Sequence, residues 1–242
     1  MNKRNKILAK VKKDLCTGCG LCLPYCTVGA IILVDGKAIV DEDLCVECEV
    51  CIRSKVCPRK ALFASQLLYP KSIKVISNPS VTKVTGIPGR GTDEVKTNDV
   101  TGRIGRSEVG ICIDMGRPNT GVYLRDAEKV AKALIKVGVK IEKENPCTAL
   151  MTENGEFKEE VKNLRVLSII IEGKTNLENL PSVVEALKFV EKKVDTVFSV
   201  GVIGRVEPDG TLPVLETLRQ LKIEVRPNSK VNVGLGRPLC SR

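Results

Sequence analysis

Histidine and tryptophan are both absent from this chain. The first absence removes every mechanism that needs an imidazole: Ser-His triads, histidine general bases and histidine-ligated metals. Any metal here is held by thiolate or carboxylate. Aromatic residues make up only 3%, too few for the stacking platforms of single-stranded nucleic-acid binders. A formal net charge of +10 attracts polyanions in general, but the basic residues are scattered, as on a solvated, partner-steering surface. No apolar stretch is long enough to span a bilayer, and Met1 to Lys13 is basic without the apolar core of a secretory signal. Both absences point to a reducing, cytoplasmic setting, where dense cysteine is not a disulfide framework.

What is present is aliphatic and thiol-rich. Apolar residues make up 43% of 242, enough for about two domains with Val, Ile and Leu cores. Of the 11 cysteines, eight fall between residues 16 and 57. Cys16, Cys19, Cys22 and Cys26 are spaced C-x₂-C-x₂-C-x₃-C, and Cys45, Cys48, Cys51 and Cys57 are spaced C-x₂-C-x₂-C-x₅-C, followed by Pro58. Three thiols at i, i+3 and i+6 wrap a tight loop around three corners of a cubane. Gly18 and Gly20 between them let backbone N–H groups point at sulfur. Zinc sites favour paired C-x₂-C knuckles, and two triplets each followed by a fourth cysteine fit cubanes better.

Over residues 6 to 64 these runs resemble the bacterial-type ferredoxins that carry two [4Fe–4S] clusters. The resemblance implies crossed ligation, each run lending its fourth cysteine to the other cluster. Cys16, Cys19, Cys22 and Cys57 would then hold one cluster, and Cys45, Cys48, Cys51 and Cys26 the other. It also implies single-electron transfer, a redox partner protein and a place in anaerobic metabolism. Two loaded clusters would lower the net charge to roughly +6. Residues 30 to 40, with Asp35-Gly36 at the centre, read as a hairpin, which the family also has between its runs. Two departures stand out. Thr27 replaces the usual proline after the fourth cysteine, and five residues rather than three separate Cys51 from Cys57.

Beyond residues 1–66, residues 67–106 lack sustained apolar periodicity and read as a linker or binding loop. Residues 107–242 alternate strands with helices. Strands are expected at 109–115, from 139 to beyond Pro146, at 164–172, at 196–203 and within 223–233. Helices are expected at 126–137, 181–194 and 212–221. The order suggests an α+β protein: a two-cluster module followed by a ferredoxin-like (βαββαβ) α/β sandwich.

Three strand ends close with Gly-Arg, at Arg117, Arg205 and Arg237. If these ends share one sheet edge, the guanidinium forks converge on an anionic small molecule or an acidic partner patch. Of the remaining thiols, Cys112 reads as core, whereas Cys147 and Cys240 read as candidates for exposure and reactivity; three are too few for a third cubane. The leading expectation is an electron-transfer protein serving a larger redox system. The alternatives are an oxidoreductase or a ligand sensor with an anionic ligand in the second half.

Overall fold

The computed structural model describes residues 8–65, 68–77, 85–87, 103–117 and 120–225. The first part is built as a doubled unit. Strand β1 (Leu8–Val11) leads into the first cysteine loop, and the hairpin strands β2 (Ile31–Val34) and β3 (Lys37–Val40) follow it. The second loop contains the short helix α1 (Val50–Arg53) and ends in β4 (Leu62–Ser65). The hairpin turns on Asp35 at φ 50° and Gly36 at φ 69°, the left-handed pair that an Asp-Gly turn accommodates. β2 pairs with β3, and β1 pairs with β4 with Leu8 opposite Ser65.

The two halves repeat each other closely. The Cys16 N–H bonds the Lys12 carbonyl, as the Cys45 N–H bonds that of Asp41. Lys12 and Asp41 in turn donate to the carbonyls of Ala61 and Ala30. The interior between the halves is thin, formed by Ala9, Ala30, Ile31 and Ala38 with Cys22, Cys45 and Cys51. Alanine at such positions leaves room beside the thiols and buries little apolar surface of its own.

The second part carries a larger aliphatic core. A 3₁₀ helix, Lys71–Ser77, precedes β5 (Glu108–Met115) and β6 (Val122–Tyr123). Then come α2 (Leu124–Lys136), β7 (Lys140–Ile141), α3 (Glu159–Lys162), β8 (Arg165–Val166) and β9 (Ile169–Asn176). The described part closes with α4 (Leu180–Glu191), β10 (Phe198–Ile203) and α5 (Pro213–Gln220). The main sheet has four strands in the order β10-β5-β9-β7, each antiparallel to its neighbour. Alternate residues of β5, namely Val109, Ile111, Ile113 and Met115, join the core. Onto them pack Ala127, Val130, Ala131 and Leu134 of α2 and Val183, Leu187 and Val190 of α4, one face of each helix at i, i+3, i+4 and i+7 spacing.

Several expectations need correction. The segment before β5 is more than a connector, because Ile73 and Ile76 of the 3₁₀ helix are buried in the sheet core. The strand expected from Val139 past Pro146 ends at Ile141. The chain there turns into a buried corner, where the Asn145 side chain accepts the Cys147 N–H at 2.8 Å and donates to Glu172 at 2.5 Å. The strand read at 164–172 is two pieces, β8 and β9. Of the strand content expected over 223–233, residues 223–225 are coil and the rest lies outside the described residues.

Contacts join the two parts. The Lys71 ammonium pairs with Glu42 at 2.6 Å, and the Tyr69 hydroxyl donates to Glu160 at 2.7 Å. Ser77 donates its hydroxyl to the Ser168 carbonyl at 2.5 Å and accepts the Ser168 N–H at 3.0 Å. Among the described residues, no helix is long and apolar enough to cross a membrane.

Candidate metal centre

Each cysteine loop is shaped by backbone that only some residues adopt readily. Gly18 and Gly20 hold φ of 72° and 74°, the left-handed region natural to glycine. Gly18 also lies against the hairpin turn, where a Cβ on it would stand 2.1 Å from the Gly36 carbonyl oxygen. In the second loop the equivalent positions are Glu47 and Glu49, at φ 53° and 62°. The shared cysteine spacing sets these glutamates opposite Gly18 and Gly20 in the sequence.

The fourth cysteines are held alike. The Ala30 N–H points at the Cys26 sulfur at 3.0 Å, and the Ala61 N–H points at the Cys57 sulfur at 3.3 Å. A third such contact runs from the Ala38 N–H to the Cys16 sulfur at 3.4 Å. N–H groups aimed at sulfur stabilise thiolate and tune whatever metal it binds. Donation from Ala38, then Gly18, holds the Cys16 thiol below its ordinary value.

The grouping of thiols cuts across the two runs. Cys16, Cys19 and Cys22 line a cavity together with Cys57 from the other run, and its wall includes Val11, Leu21 and Leu62 and the small residues Gly20 and Ala61. Burial pushes the Cys22 thiol up, with added repulsion from Cys16, Cys19 and Cys57. Across the module, burial followed by repulsion from Cys48 and Cys26 pushes Cys51 up to about 11. Burial, then the neighbouring Glu47 carboxylate, pushes Cys45 up to about 12. The Thr27 hydroxyl, next to Cys26, lies 4.0 Å from the Cys48 sulfur. The ten described cysteines are free of disulfides. Among the described residues no three metal-binding side chains converge tightly enough for a single ion. A cubane asks instead for thiols spread around a cavity, since each binds a separate iron corner. The chemistry of the donor set, the small residues lining it and the inward N–H groups all fit such a cluster.

Two buried ionisable side chains, Glu47 and Lys74, stand beside the second loop. Glu47 is 2% exposed. Its Oε2 accepts the Ala9 N–H at 3.1 Å, while among the described residues Oε1 has no hydrogen-bond partner. Burial pushes this carboxyl up from the usual carboxylate range. Lys74 is equally buried and donates to the carbonyls of Glu42, Asp43 and Cys45, the last at 2.8 Å. Nothing in the local sequence marks Lys74, because a lone lysine ordinarily reads as solvated.

The arginine expectation meets the sheet register. Met115 pairs with Phe198 and Gly110 with Ile203. Arg117 therefore leaves one end of the β5–β10 ladder and Arg205 the other, and an antiparallel pair cannot bring them together. Arg117 is exposed, Arg205 makes a long contact to the Ile104 carbonyl at 3.4 Å, and Arg237 lies outside the described residues. Cys112 is buried on β5, as expected. Cys147, expected to be accessible, is completely buried, and that burial pushes its thiol far up; an inert thiol replaces the reactive one. Cys240 lies outside the described residues.

Paired thiol loops with N–H groups aimed at sulfur have the make-up that an iron–sulfur cluster asks for. For the first loop the comparisons agree: the family model described as "4Fe-4S binding domain" matches residues 9–32. A probable ferredoxin from Methanosarcina thermophila is 57% identical over 37 residues, which is 15% of this chain and 64% of that protein. The chain thus spans somewhat under two thirds of the length of this relative, and no solved structure matches it.

Proposed function

We propose that the chain is an electron-transfer protein carrying two [4Fe–4S] clusters, serving as an accessory or subunit of a larger cytoplasmic redox system. Cys16, Cys19, Cys22 and Cys57 hold the first cluster, and Cys45, Cys48, Cys51 and Cys26 hold the second. The observation that carries this reading is the cavity walled by three cysteines of one run and the fourth of the other. The clusters supply one-electron chemistry. The protein's own part is to hold the thiolates, aim N–H groups at them and limit water around them. Residues 107–242 are read as a ferredoxin-like sandwich that docks the redox partner. The strand order β10-β5-β9-β7 with two helices packed on the core supports that fold. The reading as an oxidoreductase or sensor for an anionic small molecule loses its motivating site, because Arg117 and Arg205 stand at opposite ends of their ladder.

Anaerobically purified protein is expected to contain about eight irons and eight acid-labile sulfides per chain, the content of two cubanes. Four or fewer irons after full reconstitution would refute the count.

Replacing Cys26 with serine tests the crossing directly. The cluster held by Cys45, Cys48 and Cys51 should be lost or converted, while the one held by Cys16, Cys19 and Cys22 keeps its EPR signal. Selective damage to the first cluster instead would invert the assignment.

A further inference from the structure

We propose that Lys74 is a positioning residue for the second cluster, raising its reduction potential and tying that potential to the sheet-bearing half of the chain. The proposal rests on the two-cluster reading. Its starting point is an unusual environment for a lysine, which is 2% exposed although burying a charge is costly unless it is matched. The match is geometric. An ammonium has three N–H donors, and three carbonyl oxygens receive them: those of Glu42, Asp43 at 3.4 Å and Cys45 at 2.8 Å. Burial pulls the pKa of this amine down, but a neutral amine has only two donors for the three carbonyls.

The third of these carbonyls belongs to a proposed cluster ligand. A cubane with four thiolates carries a net −2 when oxidised and one more negative charge when reduced. A fixed cation beside Cys45 therefore stabilises the reduced form more than the oxidised one, and burial keeps water from screening it. Glu47 is the acidic side chain of the same loop, engaged by the Ala9 N–H, and it is common to the wild type and every variant below. The first loop has a weaker analogue, since Lys37 donates to the Cys16 carbonyl at 2.5 Å. Lys37 is only half-buried and belongs to the hairpin itself.

Lys74, by contrast, comes from outside the cysteine loops. Its neighbours Ile73 and Ile76 are buried in the sheet core, and Ser77 exchanges hydrogen bonds with Ser168 just before β9. The position of the ammonium is thus set by the second half of the protein, which gives that half a physical hold on the second cluster.

The test is a redox titration of the full-length holoprotein, followed by EPR signals that separate the two clusters. The variants are Lys74→Gln, Lys74→Met and Lys74→Arg, with Lys37→Gln for comparison. At a fixed solution potential the Gln and Met variants should hold the second cluster reduced about tenfold less, equivalent to about 59 mV for a one-electron couple. The first cluster should be unmoved, and Lys74→Arg should keep the wild-type value. Lys37→Gln should shift the first cluster by less. An unchanged second midpoint in Lys74→Gln with full iron content would overturn the proposal, as would equal shifts in both clusters. Loss of the second cluster in all three Lys74 variants would reduce the residue to a structural tie and overturn it too. A wild-type chain with four irons would instead bring down the two-cluster reading, and the proposal with it.

Discussion

Gly18→Ala should strip the first cluster from the protein, with about half of the iron lost and its EPR signal absent. The new Cβ would stand 2.1 Å from the Gly36 carbonyl oxygen. That neighbour is backbone, and Gly36 is itself committed to the hairpin turn at φ 69°. Either the Cys16–Cys19 loop or the hairpin must move, and the two are joined at Cys16, by the Ala38 N–H to its sulfur and the Lys37 ammonium to its carbonyl. The left-handed φ of 72° adds strain of about 1–2 kcal/mol for a residue with a Cβ. Gly20→Ala is the control. Its nearest atom is a Leu33 methyl at 3.9 Å, so only the backbone strain applies, and the second loop tolerates glutamate at the equivalent Glu49. Gly20→Ala should keep both clusters. Full iron in Gly18→Ala would show that the loop and the hairpin separate easily and that the packing argument fails.

Removing the clusters should unfold residues 8–65 and leave the sheet of residues 108–203 standing. The first part has little to hold it together without iron. Its interior is largely alanine and cysteine, and a unit this small is marginal on apolar burial alone. Each proposed cluster ties one loop to a cysteine far along the chain, so metal binding becomes part of the folding free energy. What is lost is the tie. The second part keeps Val109, Ile111, Ile113 and Met115 packed under two helices and needs no metal for that. Amide hydrogen exchange after anaerobic chelation reads both outcomes at once. Protection should vanish in β1 through β4 and persist in β5, β9, α2 and α4. Simultaneous loss everywhere would mean that the Lys71–Ser77 segment, with its contacts to both sides, makes the chain one cooperative unit.

Much of the candidate site was legible from spacing alone, because a cysteine loop around a cubane is a local object. The seven residues from Cys16 to Cys22 decide which three corners are met, and glycines between them decide whether the backbone can turn. The hairpin was equally local, since Asp35-Gly36 sets its turn and alternation sets its strands. The helices α2 and α4 followed from apolar periodicity, with ends displaced by one to three residues, where fraying and capping blur any boundary.

Other features depended on partners distant in sequence. β1 pairs with β4 across the whole first module, and neither strand announces the other. Cys147 follows a proline and reads as loop, yet the corner closed by Asn145 and Glu172 buries it completely. The Gly-Arg recurrence was real in the sequence, but recurrence says nothing about direction. An antiparallel ladder sends successive strand exits to opposite ends, so Arg117 and Arg205 part.

By itself, then, the sequence determined the chemistry this protein carries: thiol loops at cubane spacing, no imidazole, an aliphatic sheet-and-helix half. The tertiary structure alone decided how deeply Cys147 lies, which arginines stay apart and where Lys74 goes. The physical reason is range. Turn geometry, periodicity and ligand spacing act within a few residues, whereas strand register and burial depend on segments that meet only when the chain has folded.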